Sequence, residues 1–252
     1  DVHAMIAAAA DGRELTYTLR QGADVFRLAL PVRPFSAGDF IAVFAPMLGV
    51  GLWTLLVGAA VLILRPDLAA VRALFVTCAL LALVLLTGPD QYGPYRFTSV
   101  IFLALAVLPA ALLHLTATFA WHPVRWVRRV VVGLYAGCAV LGAVLLACRA
   151  DPAVFLPLLY LVYCVLANAI LLYLGSLVAA LSSRRGSRRQ LGLGLAAIAA
   201  SSAPAVAILV TYPLRSEAVS ATWLIAPLAL WPLLTGIALL RVAPDRTPVE
   251  RR

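Results

Sequence analysis

The sequence predicts an all-α polytopic membrane protein, a bundle of seven transmembrane helices preceded by a small α+β extracytoplasmic segment. Hydrophobic residues make up 63% of the 252 residues and charged residues only 12%, whereas soluble domains contain about 25% charged residues. Apolar segments long enough to cross a bilayer as helices follow one another along residues 37–243. The seven segments are Phe40–Leu64, Leu68–Thr87, Phe97–Trp121, Val130–Cys148, Phe155–Leu181, Leu191–Tyr212 and Ala221–Leu240.

The placement of the basic residues predicts the orientation of the helices. All twenty are arginine; thirteen lie in the first, third and fifth loops and the C-terminal tail, against three in the second, fourth and sixth loops. Because cytoplasmic loops collect basic side chains, we expect the tail, residues 244–252, to be cytoplasmic and the N-terminus to be outside. Topology thereby explains the net charge of +9, and we predict no nucleic-acid partner.

Residues 1–36 are the part of the chain that can fold in water. Apolar residues alternate with polar ones in two runs separated by a turn: Leu15, Tyr17 and Leu19, then Phe26, Leu28 and Leu30. This alternation predicts a β-hairpin, and a helix is expected before it over Val2–Ala10. A helix and one hairpin bury little apolar surface, so we expect the segment to be the C-terminal part of a larger domain.

The residue types inside the spans exclude several functions. A retinal protein needs a lysine for its Schiff base, and the sequence contains none. All eleven acidic residues lie in loops or termini, whereas proton and ion pumps carry acids at the midplane. Only His114 of the three histidines lies well inside a span, so we predict no cofactor, no metal site and no catalytic residue.

Few polar side chains remain inside the spans as candidates for a function. They are His114, Thr116 and Thr118 on the third span, Asn168 on the fifth, and Ser201 with Ser202 on the sixth. We select His114, Thr118, Asn168 and Ser201 as the candidates for ligand binding or helix coupling. One interpretation is that they form hydrogen bonds that hold helices together. The other is that they mark a ligand pocket or a contact that couples helix movements in a receptor.

The order of these parts resembles the sensor region of bacterial membrane histidine kinases of the competence-pheromone-receptor type. The resemblance rests on LPVRPFSAGDF before the first span, LILRPDLAAVRAL at its end, and LPAALLHLTATFAWHPVRW in the third span. Where that family has Phe-Pro, this chain has Phe119-Ala120-Trp121-His122-Pro123. The resemblance implies a bacterial inner-membrane receptor, with residues 1–36 forming the end of a PDZ-like domain.

The same resemblance implies the partners of the chain. They would be membrane lipid, a peptide or small-molecule signal, a second copy in a homodimer, and a cytoplasmic output domain or response regulator. Any kinase activity would lie in a domain after Arg252, and we expect this chain to be the sensory part of a longer polypeptide.

Two functions therefore stay open at the level of sequence. The first is a sensory module that relays an extracytoplasmic or membrane signal to a cytoplasmic output domain. The second is a non-catalytic structural subunit of a larger membrane complex, which the sparse polar content of the spans suits equally well. A small-solute carrier is disfavoured, because the spans offer few polar groups to line a cavity.

Overall fold

The computed structural model of the protein describes residues 14–21, 24–31, 36–92, 96–120, 125–182, 226 and 228–240. This part of the chain is mostly helical and contains one two-stranded sheet. Its elements are β1 (Glu14–Gln21), β2 (Asp24–Pro31), α1 (Ala37–Leu64), α2 (Ala69–Thr87), a 3-10 helix (Gly88–Tyr92), α3 (Thr98–Ala120), α4 (Arg125–Ala147), α5 (Pro152–Ser182) and α6 (Leu230–Leu240). The chain divides into two compact units, Asp1–Ala42 and Val43–Arg252.

The first unit contains the predicted β-hairpin. Strands β1 and β2 are antiparallel, and their register pairs Leu15 with Leu30 and Tyr17 with Leu28. The two apolar runs thus share one face, as the alternation requires, and the hairpin prediction is confirmed. Phe26 and Leu28 on that face are each 44% exposed. The predicted helix Val2–Ala10 lies outside the described residues.

Helix α1 begins with a reciprocal pair of hydrogen bonds between Ser36 and Asp39. The Asp39 amide donates to the Ser36 hydroxyl at 3.1 Å, while the Ser36 amide donates to the Asp39 carboxylate at 2.9 Å. The Ser36 hydroxyl also donates to the carboxylate at 2.7 Å. This capping box satisfies free backbone donors of the first turn, which explains why the helix starts before the apolar run.

Five helices in the described part of the chain are long and apolar enough to cross a membrane. Each of them overlaps one of the first five predicted spans. The observed ranges are Ala37–Leu64, Ala69–Asp90, Thr98–Thr118, Arg129–Ala147 and Pro152–Ser176. The membrane character and the helical class of the protein are therefore supported, whereas the count of seven helices is not confirmed by the part of the chain that the structure describes. The described residues contain six α-helices. The predicted sixth span lies outside them, and α6 covers only the last eleven residues of the predicted seventh.

Like α1, two further helices begin earlier than the sequence predicts. Helix α4 starts at Arg125, so it includes the arginine-rich turn that we expected to precede it. Helix α5 starts at Pro152, where the Asp151 carboxylate accepts a hydrogen bond of 3.0 Å from the Ala153 amide. Asp before a helix and Pro at its first position are favourable because the first amides have no helical partner.

Helix α3 lies at the centre of the second unit. It packs against α2, α4 and α5, whereas α4 and α5 contact each other little. The main core cluster joins Leu74 of α2 to Leu115 of α3, both fully buried, and extends to Tyr173 of α5 and Trp231 of α6. Helix α1 joins this core through Gly58, where an added Cβ would lie 2.7 Å from the Cβ of Cys78. Such a close approach of two helix backbones needs glycine.

Candidate functional site

His114 joins two helices of the bundle. The residue is partly buried on α3, and its Nδ1 lies 3.4 Å from the hydroxyl of Tyr135 on α4. The two rings also meet edge to face, with centroids 5.9 Å apart and planes at 89°. The aromatic geometry is favourable, whereas the hydrogen bond is at the long end of the usual range. The main contact of the His114 side chain is therefore with Tyr135, and it joins α3 to α4.

The sequence did not single out Tyr135 as a partner of His114. Tyrosines of membrane proteins cluster near the membrane interfaces, but Tyr135 lies six residues inside the candidate span Arg129–Ala147. A tyrosine at that depth needs a polar partner for its hydroxyl. That position was the signal from which a partner could have been predicted.

Thr118 and Asn168 direct their polar groups to their own helices. The Thr118 hydroxyl donates to the His114 carbonyl at 2.9 Å, one turn earlier on α3. Asn168 is exposed on α5, and its amide donates to the Cys164 carbonyl at 2.8 Å. Thr118 thus lies beside His114 along α3, whereas Asn168 has a separate partner on α5. Ser201, the fourth candidate, lies outside the described residues.

A different set of buried hydroxyls has no hydrogen-bond partner among the described residues. They belong to Thr54 of α1, Tyr173 of α5 and Thr235 of α6, which are 0%, 3% and 1% exposed. An unsatisfied buried polar group costs about 1–3 kcal/mol, so a native structure rarely leaves three of them unpaired. These three residues could not be selected from the sequence, because they lie on three different helices and follow no common spacing.

Other hydroxyls in the spans are satisfied within their own helices. Thr77 donates to the Ala73 carbonyl at 2.9 Å and Thr116 donates to the Leu112 carbonyl at 2.8 Å. This bond to the preceding turn is the usual solution for threonine inside a membrane helix. Because Thr54 and Thr235 do not form it, their hydroxyls are available to other groups in the bundle.

Helices α1 and α6 lie side by side and run in the same direction. The Trp53 indole donates to the Ala229 carbonyl at 3.0 Å, and twelve residues later the Arg65 guanidinium donates to the Leu240 carbonyl at 3.3 Å. From the first contact to the second the chain advances twelve residues along α1 and eleven along α6, which is nearly the same helical rise. The two helices are therefore parallel. The C-terminal ends of α1 and α6 therefore lie at the same end of the bundle.

The middle of the α1–α6 pair is held by close packing at a glycine. A Cβ added to Gly236 would lie 2.7 Å from Cγ2 of Val61 and 3.9 Å from Cγ1 of Val57. No side chain larger than hydrogen fits there unless the Val61 side chain or one of the two helices shifts. The helices of this pair are thus in contact at both ends and in the middle.

An apolar groove of about 360 Å³ lies between α4 and α5. Its lining residues are Val130, Gly133, Leu134, Gly137, Cys138, Leu141 and Val165. Among the described residues, no atom lies within 4 Å of a Cβ added to Gly133 or Gly137, so this face of α4 is open toward them. Such a groove offers no polar group to a ligand and suits an acyl chain or an apolar helix.

The described residues contain no cluster of three or more His, Cys, Asp or Glu side chains that could hold a metal ion. The polar features of the described residues lie where helices pack together. They are the His114–Tyr135 pair, the three buried hydroxyls and the hydrogen bonds of the parallel α1–α6 pair. Comparisons with protein-family models, with curated proteins and with solved structures give no match.

Proposed function

We propose that the protein is a membrane-embedded sensory module that relays an extracytoplasmic or membrane signal to a cytoplasmic output domain. The observation that carries this proposal is the parallel α1–α6 pair. Helix α1 follows directly after the hairpin segment in the chain, and its far end contacts the last residue of α6. A movement of α1 would therefore displace Leu240 at the end of α6, after which the chain continues into its C-terminal segment.

The energy needed for such a relay is within the range of ligand binding. The contacts between α1 and α6 include two hydrogen bonds, each of which contributes about 1 kcal/mol. A complete switch between two packings requires a differential binding energy of about 5.5 kcal/mol, and smaller shifts require less. A signal that favours one packing of α1 would change the population of α6 positions.

The proposed orientation places the N-terminus outside the bacterial inner membrane and the C-terminus in the cytoplasm. The shared end of α1 and α6 supports it, because the arginine rule assigns both the first loop and the tail to the cytoplasm. Cys148 offers a natural probe, since it lies at the turn after α4, on the proposed outer side. A membrane-impermeant maleimide should label it in intact spheroplasts.

A matched pair of variants controls the orientation experiment. Cys148→Ser should abolish the labelling, and Asp67→Cys in that background should be labelled only after the membrane is opened. Labelling of Asp67→Cys in closed spheroplasts would show that the bundle is inverted.

In keeping with the resemblance to competence-pheromone-receptor kinases, we propose that the hairpin is the end of a PDZ-like domain. We further propose that the module works as a homodimer, with a kinase domain or response regulator as its cytoplasmic partner. The exposed apolar face of the hairpin supports only the proposal that the hairpin belongs to a larger domain, because the rest of such a domain would cover Phe26 and Leu28. A peptide or small molecule and membrane lipid are the proposed ligands.

The relay is tested by a change in the hairpin and a measurement on α6. In liposomes, replacing Phe26 and Leu28 by Ser should alter the hydrogen exchange of the amides in Leu230–Leu240. Arg27→Ser is the matched control, because Arg27 lies between them on the opposite face of the strand. An unchanged exchange pattern in α6 would contradict the sensory proposal.

The second candidate function is a non-catalytic structural subunit of a larger membrane complex. The open faces of Gly133 and Gly137 on α4 favour it, since small residues allow another helix to approach closely. A stoichiometric membrane partner that is lost on Gly133→Leu, together with unchanged exchange in α6, would support this function over the sensory one.

A further inference from the structure

The apolar groove between α4 and α5 has the depth of one leaflet of a bilayer. Along α4 it extends from Val130, in the first turn of the candidate span Arg129–Ala147, to Leu141. A helix rises 1.5 Å per residue, so the distance between these two positions is about 16 Å. The hydrocarbon core of a bilayer is about 30 Å thick, and half of it is the length that one lipid acyl chain occupies.

The groove is apolar along its whole length. None of its seven lining side chains carries a nitrogen or oxygen atom, and the Cys138 thiol on its α4 side is buried. Helices α4 and α5 contact each other little, so the groove is a gap in the packing between them. A gap of this kind favours an apolar occupant, because its walls otherwise lose dispersion contacts. Its volume of about 360 Å³ lies in the range of ligand sites, about 300–1,000 Å³.

A basic side chain lies at the end of the groove that is nearest the membrane surface. Arg129 is exposed and directly precedes Val130. It also lies four residues before Gly133, so it shares the face of α4 that lines the groove. Helix side chains tilt toward the N-terminus of their helix, and the long stem of arginine reaches the headgroup region from within a span. The guanidinium of Arg129 is therefore placed to meet a headgroup above the groove.

We propose that this groove binds one acyl chain of a phospholipid with an anionic headgroup, whose phosphate pairs with Arg129. The chain lies against Gly133 and Gly137, where no Cβ separates it from the helix backbone. Arginine suits the headgroup because its guanidinium can donate two parallel hydrogen bonds to a phosphate.

The length of the groove favours a lipid over a helix of another protein chain. A transmembrane helix crosses both leaflets, whereas the groove accompanies its occupant through about one. The site does not rest on the proposed sensory function or on the orientation of the bundle, since it needs only the groove and the adjoining membrane surface.

The first test measures lipid binding to the full chain by native mass spectrometry. The probes are phosphatidylglycerol and phosphatidylcholine with identical acyl chains, added to the protein in detergent micelles. Arg129→Gln should lower the affinity for phosphatidylglycerol by about fivefold, the usual contribution of one basic residue at a membrane surface, and should leave phosphatidylcholine unchanged. Gly137→Leu should weaken the binding of both lipids, because the new side chain occupies the groove.

Two matched variants control for the substitutions themselves. Gly175→Leu places the same side chain on α5 outside the groove, at a position where no atom of the described residues lies within 4 Å of an added Cβ. Arg149→Gln removes an exposed arginine just beyond the opposite end of α4. Neither variant should change the affinity for either lipid at this site.

The double variant of Arg129→Gln and Gly137→Leu decides whether the arginine and the groove hold the same lipid. If they do, Arg129→Gln has little further effect once Gly137→Leu has filled the groove. An equal loss in both backgrounds would mean that Arg129 attracts anionic lipids without the groove, and the proposal would be wrong. It would also be wrong if Gly137→Leu dissociated a dimer and left lipid binding unchanged, because the groove would then hold a helix of a second copy.

The second test uses the unaltered protein and so does not depend on the folding of any variant. An experimental density map in phosphatidylglycerol nanodiscs should contain a tube of density that runs along Gly133 and Gly137 and ends beside Arg129. Density of a helix in the groove, or an empty groove beside ordered lipids elsewhere on the bundle, would overturn the proposal.

Discussion

Gly236 of α6 provides the sharpest test of the α1–α6 contact. In Gly236→Ala the new Cβ would lie 2.7 Å from Cγ2 of Val61, closer than the separation that packed carbon atoms adopt. Val61 cannot easily turn away, because a β-branched side chain has one strongly preferred rotamer in a helix. Helices α1 and α6 must therefore move apart to admit the methyl group.

Two effects of opposite sign determine the size of the change. Alanine has a higher helix propensity than glycine, which favours the variant by about 0.8–1.0 kcal/mol. Overpacking a close contact typically costs about 1–3 kcal/mol. We expect overpacking to win and the free energy of unfolding to fall by about 1–2 kcal/mol.

The measurement is reversible unfolding in mixed micelles, followed by tryptophan fluorescence. Gly133→Ala is the control, because no atom in the described part of the chain lies within 4 Å of its added Cβ, and its stability should be unchanged or slightly higher. Val61→Ala removes the methyl group that the new Cβ would contact. Combined with Gly236→Ala, it should therefore cost about 1 kcal/mol less than the sum of the two single variants.

Two outcomes would refute this reasoning. If Gly236→Ala is as stable as Gly133→Ala, the close approach of α1 and α6 does not exist in the membrane. If the effects of Gly236→Ala and Val61→Ala add without coupling, the two residues are not in contact.

Three further predictions concern other contacts of the fold. Gly58→Ala should lower the free energy of unfolding by about 1–3 kcal/mol, because its Cβ would lie 2.7 Å from the Cβ of Cys78; an effect near zero in the same assay would contradict the α1–α2 packing. Tyr135→Phe should cost no more than about 0.6 kcal/mol, since it loses a long bond to His114 but keeps the ring contact; a loss above about 2 kcal/mol would reveal a stronger interaction. Ser36→Ala should weaken the first turn of α1 by about 1 kcal/mol, measured as faster amide exchange at the start of the helix, whereas Ser36→Asp should largely restore the protection.

The helices of this protein were predictable because the membrane makes local sequence informative. Every backbone group inside a bilayer must bond within its own segment, so an apolar run of sufficient length is expected to form a helix. The first five predicted spans are found as long helices for this reason. The errors lie at the ends, as at Arg125 and Pro152, where capping groups and charged turns extend a helix beyond its apolar run.

The candidate site was predicted less well, because polar contacts between helices depend on rotation and depth. The sequence selected His114 as an unusual residue, but its partner Tyr135 was recognised only when α3 and α4 were seen in contact. Asn168 looked equally unusual, yet its amide bonds to its own helix on an exposed face. Composition identifies a polar residue in a span, and only packing shows whether it meets another helix.

The sequence by itself determined that this chain forms apolar helices of membrane-spanning length after a β-hairpin, since periodicity and hydrophobicity are local properties. Only the tertiary structure decided which helices are neighbours. The parallel α1–α6 pair joins residues about 175 positions apart, such as Arg65 and Leu240, and the contact of His114 with Tyr135 joins α3 to α4. Apolar helices of similar composition can pack in many orders, so the observed order depends on a few close contacts, such as Gly58 and Gly236, that no local pattern reveals.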